Sequence, residues 1–438
     1  MSTTVKRFLL EPGGCLRGRI RVPGDKSISH RSIMLGSIAE GCTEVSGFLE
    51  GEDALATLRA FRDMGVVIDG PERGRVTVHG VGLHGLKAPL DVLNLGNSGT
   101  SMRLMSGLLA AQSFDVTMCG DSSLSKRPMR RVTEPLAQMG ALIDTSADGT
   151  PPLKIHGGRA LVGIEYTMPV ASAQLKSALL LAGLYAAGTT SITEPALTRD
   201  HTERMLRGFG YAVTTDGSTA SLKGGGTLKG CAIDVPADIS SAAFFLVAAS
   251  IAEGSDLLLE HVGVNPSRTG VIDILRMMGA DIVLLNERDV GGEPVADIRV
   301  RSAPLKGVEI PGEAVPRAID EFPVLFVAAA CAEGQTVLTG AAELRVKESD
   351  RIQAMADGLI ALGVDAQPTE DGMVIRGGAL GGGTVESHDD HRIAMAFAVA
   401  ALRADSAITV RDCANVNTSF PGFVALAREC GLRISDGG

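Results

Sequence analysis

The chain has no tryptophan, and aromatic residues make up only 3% of its 438 positions. Stacking platforms of the kind that hold single-stranded nucleic acid are therefore nearly absent. Positive charge is in deficit as well. Asp and Glu outnumber Lys and Arg by 51 to 41, giving a net charge of −10. A molecule of that balance repels DNA and anionic membranes, so any anionic ligand must be held by a local group of basic residues. Long apolar runs are missing too. The longest, 242–252, is interrupted by Ser250 and falls short of the ~20 residues a membrane-spanning helix needs. Neither a nucleic-acid partner nor a membrane is expected. Met1 to Gly14 lack the apolar stretch of a secretory signal, so a cytoplasmic setting is expected. The 7 cysteines are scattered and form no C-x-x-C pair, which points to reduced thiols rather than a disulfide frame or a zinc site.

What the chain does have is glycine, 54 in all, and a hydrophobic share of 45%. That share excludes global disorder, and the length suggests two or three domains. The glycines mark an internal repeat. A small-residue helix, a strand-like run and a second helix ending in Gly recur six times. The ends are Met64-Gly65, Met139-Gly140, Phe209-Gly210, Met278-Gly279, Leu362-Gly363 and Cys430-Gly431. Successive glycines lie 75, 70, 69, 84 and 68 residues apart, so the repeat accounts for essentially the whole chain.

The fourth copy shows the unit. Asp238 to Ala252 reads as an apolar helix opened by the capping residues Asp and Ser,. Leu257 to His261 reads as a strand, Pro266 to Met278 as an amphipathic helix, and Asp281 to Leu285 as a second β run,. Gly279 supplies the helix stop in a left-handed conformation. The unit is βαβαββ-like. Its first helix is apolar nearly all round and must be buried on most faces, which places helices inside and sheets outside. Three units per domain make two domains. Pro23-Gly24-Asp25 and Pro236-Ala237-Asp238 read as the crossings between them, so the N-terminal strand belongs with the C-terminal half. The expected division is 1–24 plus 243–438 and an inserted 25–242, with the active site in the cleft between them.

Polar residues interrupt these apolar helices at equivalent places. The first helices open with Asp25-Lys26-Ser27-Ile28-Ser29-His30-Arg31, Asn97-Ser98-Gly99-Thr100, Ser172-Ala173-Gln174-Leu175-Lys176, Asp238-Ile239-Ser240-Ser241, Asp320-Glu321 and Asp389-Asp390-His391-Arg392. Helix N-termini carry unsatisfied N–H groups and partial positive charge, and so bind anions. Ordinary capping by Ser, Asp and Asn explains any single copy equally well. Cations in a first turn oppose the helix dipole, at ~0.3–1 kcal/mol each. Lys26, Arg31 and Arg392, read as such cations, invite a functional explanation. Basic residues also open the second helices, in Ser125-Lys126-Arg127-Pro128, Thr198-Arg199-Asp200, Ser267-Arg268-Thr269 and Lys347-Glu348-Ser349-Asp350-Arg351. Arg offers a planar fork for carboxylate or phosphate, and Lys a compact point charge.

Several motifs are incomplete. Gly24-Asp25-Lys26-Ser27 lacks the spacing of a P-loop, and Leu95 to Thr100 lacks the third glycine of a dinucleotide fingerprint,. His388-Asp389-Asp390-His391 has no further ligands at metal-type spacing, so neither metal nor cofactor is expected. Cys119 has no histidine arrangement to make it a nucleophile.

Four long segments, in order, resemble one family. Pro23 to Arg31, Leu95 to Arg103, Arg345 to Arg351 and Asp390 to Met395 resemble 3-phosphoshikimate 1-carboxyvinyltransferase, also called 5-enolpyruvylshikimate-3-phosphate synthase. The likeness runs from about Gly18 to Gly431. It implies an α/β fold of two inside-out α/β-barrel domains, each of three βαβαββ repeats. It implies transfer of the enolpyruvyl group of phosphoenolpyruvate to the 5-hydroxyl of shikimate 3-phosphate, through a tetrahedral intermediate that eliminates phosphate. By this resemblance Lys26, Ser27, Arg31, Ser172, Ala173, Gln174, Arg199, Asp320 and Lys347 would hold shikimate 3-phosphate. Lys26, Gly99, Thr100, Arg127, Gln174, Arg351 and Arg392 would surround phosphoenolpyruvate. Asp320 would act as base on the 5-hydroxyl, with Glu348 and Lys26 handling the proton at the methylene carbon. The resemblance also implies a monomer and inhibition by glyphosate, for which Gly99 leaves room. Asn417 to Pro421 departs from the pattern, since some members carry a Lys there.

Two rivals remain. UDP-N-acetylglucosamine enolpyruvyl transferase shares the fold and the phosphoenolpyruvate chemistry but has a loop Cys where this chain has Gly120 to Pro128. A non-catalytic anion-binding repeat protein would not need Asp320 or Glu348 as titrating groups.

Overall fold

A computed structural model describes residues 6–437 of the chain. Contacts divide it into two compact units. The inserted unit is Gly24–Val235 together with Asp289–Glu293, the turn of a hairpin; the enclosing unit is the chain up to Pro23, Pro236–Arg288 and the chain from Pro294 on. The expected boundary at 242/243 is corrected to 235/236. A break at 242 would cut the continuous helix Ile239–Ile251, every residue of which is buried.

The inserted unit holds helices α1 (Lys26–Ser37), α2 (Glu52–Asp63), α3 (Gly99–Leu109), α4 (Arg130–Gln138), α5 (Ala173–Gly183) and α6 (His201–Gly208). The enclosing unit holds α7 (Ile239–Ile251), α8 (Gly270–Met277), the short α9 (Val315–Ala318), α10 (Phe322–Ala330), α11 (Arg351–Ala361), α12 (His391–Ala400) and α13 (Phe423–Cys430). In the inserted unit α3 packs against α1 and α5, and in the enclosing unit α7, α10 and α12 pack against one another. These are the apolar first helices of the repeats. The α3–α5 contact is closer than any side chain permits: a Cβ on Gly107 would lie 1.9 Å from the Ala178 carbonyl oxygen.

Each helical layer is enclosed by three sheets. Leu93–Asn94 runs parallel to Val116–Cys119, which pairs antiparallel with Leu153–His156, which pairs antiparallel with Leu142–Asp144. The spatial order is thus first, second, fourth, third. The same order holds for Glu165–Thr167, Thr189–Thr193, Thr219–Lys223 and Val213–Asp216. Where the chain passes between units, distant strands complete the pattern. Ala232–Asp234 supplies the first strand beside Glu40–Ser46, and Arg17–Ile20 the first strand beside Asp256–Gly263. Arg7–Leu10 takes the fourth place in the last sheet, between Ile408–Arg411 and Ile434–Gly437. Each unit is therefore an α/β barrel turned inside out.

The repeat-ending glycines are all left-handed: φ is 86° at Gly65, 101° at Gly140, 80° at Gly210, 96° at Gly279, 83° at Gly363 and 117° at Gly431. That conformation costs a residue with a Cβ energy and costs Gly little. One helix start differs from expectation. α8 begins at Gly270, not Pro266, because 266–269 form a turn fixed by Asn265, whose side chain accepts from the Ser267 amide,. Among the described residues, no helix is long and apolar enough to cross a membrane.

Candidate active site

The inserted unit places its polar residues at helix starts. Asp25 caps α1 by accepting from the Ile28 amide at 2.9 Å. Lys26 follows as the first helical residue and pairs with the largely buried Asp53 of α2. Ser98 caps α3 through the Ser101 amide, leaving Gly99 and Thr100 as its first two residues. Ser172 caps α5 through the Leu175 amide, leaving Ala173 and Gln174 in the same positions. Gln174 then joins the two helices: its Nε2 donates to Thr100 Oγ1 at 3.0 Å, and its Oε1 accepts from Arg103 Nη1 at 2.7 Å. Arg127 arrives from the stretch between a 3-10 turn at Leu124–Lys126 and α4. It donates to the Asn97 carbonyl and side-chain oxygens at 3.2 and 2.6 Å, and to Ser123 Oγ at 3.1 Å. A Cβ on Gly99 would stand 3.1 Å from Arg103 Nη1 and 3.2 Å from Arg127 Nη1. Two guanidinium groups thus flank the positive end of one helix, a strongly anion-attracting point.

Arg31 differs from its expected place. It is the sixth residue of α1 and so lies in the second turn, away from the free N–H groups. It is buried, and its Nε, Nη1 and Nη2 donate to Thr202 Oγ1 at 2.7 Å, Ser27 O at 2.9 Å and Ser177 Oγ at 2.7 Å. All three acceptors are neutral. Burial pulls its pKa down to about 10, against the opposing pull of Glu203. It remains a cation at neutral pH, and burying a cation among neutral partners is costly. Arg199 sits between Thr198 and Asp200, at the entrance to α6.

The enclosing unit gathers carboxylates around an arginine. Arg351, 1% exposed, is the first residue of α11. Its Nε lies 2.8 Å from Asp390 Oδ2, its Nη2 is 2.5 Å from Glu348 Oε2, and its Nη1 is 3.5 Å from Asp320 Oδ1. Burial alone would lower the Arg351 pKa, but Asp390 and Glu348 outweigh it and raise it. Burial would likewise raise the Asp390 carboxyl, and Arg351 instead holds it below the usual carboxylate range. Lys347 Nζ is 3.6 Å from Asp320 Oδ1. Arg392, the second residue of α12, donates to the Asp320 carbonyl at 2.9 Å. The residues expected in this half, Asp320, Lys347, Glu348, Arg351 and Arg392, are therefore within one bonded group.

Other residues here had no expected role, being either unnamed or only members of helix-opening segments. Asp53 is the partner of Lys26, and Asp390 that of Arg351. Arg268 donates to Ser240 Oγ at 2.6 Å, and Ser240 to Glu321. The buried carboxylates Glu194 and Glu203 hold Lys176. For the last group a signal existed, since a lysine stands inside an otherwise apolar helix.

A family model described as EPSP synthase (3-phosphoshikimate 1-carboxyvinyltransferase) matches residues 10–426. The chain is 70% identical over 431 residues to a 3-phosphoshikimate 1-carboxyvinyltransferase from Alkalilimnicola ehrlichii, covering 98% of this chain and 97% of the relative. It is 66% identical to one from Nitrosococcus oceani, covering 100% of this chain and 98% of the relative. A solved EPSP synthase from Acinetobacter baumannii superposes with a TM-score of 0.89 at 61% identity, covering 99% of this chain and all of that one. The enolpyruvyl transferase NikO from Streptomyces tendae matches at a TM-score of 0.80 and 19% identity, over 99% of both chains, a likeness of fold alone.

Proposed function

Because the chain belongs to the EPSP synthase (3-phosphoshikimate 1-carboxyvinyltransferase) family, we propose that it transfers the enolpyruvyl group of phosphoenolpyruvate to the 5-hydroxyl of shikimate 3-phosphate and releases phosphate. The observation that carries the reading is the point at Gly99. There a capped helix N-terminus lies between Arg103 and Arg127, and Gln174 ties in a second helix start. Such a point suits a small dianion or trianion, and phosphoenolpyruvate is one.

The reaction needs charge held and protons moved. In this reading Arg31, Arg199, Ser27, Ser172 and Ala173 hold shikimate 3-phosphate in the inserted unit. Gly99, Thr100, Arg127 and Gln174 hold phosphoenolpyruvate there. The enclosing unit contributes Lys347 to the first substrate and Arg351 and Arg392 to the second. Residues of both units then serve the same two substrates. Asp320 accepts the proton of the 5-hydroxyl as its oxygen adds to C2, and Glu348 and Lys26 handle the proton at C3. The tetrahedral ketal formed then loses phosphate by C–O cleavage, and C3 returns a proton. Cations fixed before reaction stabilise the developing charge without reorganising, the usual largest contribution to such catalysis. The protein works on these substrates as a monomer in a cytoplasmic setting.

The test mixes purified protein with both substrates in the presence of a chelator and follows inorganic phosphate. UDP-N-acetylglucosamine serves as the parallel acceptor. Release with shikimate 3-phosphate alone is the expected result. Release with the nucleotide sugar alone moves the chain's activity to that acceptor. Silence with both leaves an anion-binding protein without this chemistry.

A further inference from the structure

Lys176, the fourth residue of α5, is 2% exposed, with its ammonium 2.8 Å from both Glu194 Oε1 and Glu203 Oε1. The two carboxylates bracket one loop. Glu194 follows directly on the strand Thr189–Thr193, and Glu203 lies in α6. Between them run Thr198, Arg199 and the α6 cap Asp200. Thr198 Oγ1 donates to the remaining oxygen of Glu194 at 2.5 Å, so the loop is also tied at its centre. On the next residue of α5, Ser177 Oγ accepts from Arg31 and from Thr202 of α6. One buried network therefore joins α1, α5, α6 and the loop.

A buried ion pair is weak grounds for stability, because desolvation offsets the Coulomb gain; its attested use is to fix one arrangement among several. This network fixes the loop that carries the half-buried Arg199. We propose that Lys176 is a positioning residue for shikimate 3-phosphate: it clamps both ends of the 194–203 segment so that Arg199 is held beside Arg31 before substrate arrives. The inference rests on the reading that Arg199 and Arg31 hold that substrate. The net negative charge of the Lys176, Glu194 and Glu203 group helps to keep two guanidiniums near each other. In agreement, Glu203 raises the Arg31 pKa where Arg199 lowers it. A preset pair loses less freedom on binding than two wandering side chains would.

The test separates positioning from mere support. Lys176→Met removes the clamp outright but leaves two buried carboxylates, and so risks the fold. Thr198→Val removes only the central tie and changes no charge. In folded Thr198→Val, the KM for shikimate 3-phosphate rises roughly three- to tenfold, about the net worth of one ordinary hydrogen bond. The kcat and the KM for phosphoenolpyruvate stay unchanged, and Thr198→Ser restores the wild-type KM. Arg199→Ala is measured alongside. If Arg199→Ala raises the KM for shikimate 3-phosphate and Thr198→Val leaves it unchanged, the positioning role is overturned while the substrate reading stands. If Arg199→Ala has no effect on that KM, the substrate reading of Arg199 falls and the inference with it. A Thr198→Val variant in which kcat and both KM values move together marks a structural tie only, and also overturns it.

Discussion

The two units share one architecture and furnish it in opposite ways. In the enclosing unit, the three core helices begin at carboxylates: Asp238 at α7, Glu321 at α10 and Asp390 at α12. Buried Arg268 and Arg351 stand against them. In the inserted unit two of the three corresponding caps are the serines Ser98 and Ser172. There Arg31 is surrounded by hydroxyls and a carbonyl. Arg268 and Arg351 are neutralised by acids of their own unit, whereas Arg31 hydrogen-bonds only neutral groups and is left to be completed from outside. The fold is common to both, and the chemistry differs because site residues, not architecture, set function.

Deleting Arg351 gives the largest expected effect. Arg351→Met strands Asp390 and Glu348 without their cation, and breaking a buried pair costs ~3–5 kcal/mol. Calorimetry should show a much lower Tm, with activity lost. Arg31→Met leaves only neutral hydrogen-bond partners behind and should cost less, about 1–2 kcal/mol,. Equal losses would show that Arg31 is internally compensated and would end the contrast. The pH dependence sharpens the same point. The folded pKa of Asp390 lies below its ordinary value of about 3.9,. Its contribution to stability is present above that value and is lost as pH falls through the folded pKa. In Arg351→Met, burial dominates and raises that pKa, so stability should instead increase as pH is lowered toward the carboxylate range. Tm measured across pH would read the change of sign.

The next effect separates the units by kinetics. Asp320→Asn and Glu348→Gln should each lower kcat by ~10²–10⁴-fold, the usual worth of a positioned acid or base. Titration calorimetry should find shikimate 3-phosphate still bound. Arg31→Lys replaces a fork with a point charge, and should raise the KM for shikimate 3-phosphate by about tenfold with a smaller change in kcat. An Asp320→Asn or Glu348→Gln enzyme that alters only KM, or an Arg31→Lys enzyme that loses only kcat, would break this division of labour.

Much of this was legible in the chain, and unevenly so. The repeat was readable because each copy ends on a Gly, and φ is positive at all six. The inside placement of the first helices followed from α7, which has no polar face to turn outward. The boundary between units was readable only to within a helix turn, because the capped start of α7 and the domain crossing lie side by side at 235–239. Single site residues were visible as charges at helix starts. Their partners were not. Asp53, Glu194 and Glu203 sit on second helices or loops where acidic residues are unremarkable in sequence, and only the fold brings them to Lys26 and Lys176. Arg31 looked like a first-turn cation and is a second-turn one, since helix phase cannot be read until the cap at Asp25 is fixed.

The smallest expected effect concerns Gly99, where the inserted unit is most crowded with cations. An added Cβ would stand 3.1 and 3.2 Å from the ends of two arginines. Both are flexible side-chain tips and can yield by a few tenths of an ångström, so Gly99→Ala should fold with an unchanged Tm. The methyl group nevertheless takes space beside the guanidiniums that receive the anion. A short substrate can be accommodated when Arg103 and Arg127 give way slightly, so the KM for phosphoenolpyruvate should rise only a few-fold. Glyphosate is longer, and the family resemblance places it in the same space. Overpacking by one methyl costs ~1–3 kcal/mol where neighbours cannot move aside, and about 1.4 kcal/mol is tenfold in affinity. The inhibition constant should therefore rise tenfold or more. Inhibition of Gly99→Ala at the wild-type constant would mean that the space at Gly99 is not where the inhibitor is discriminated.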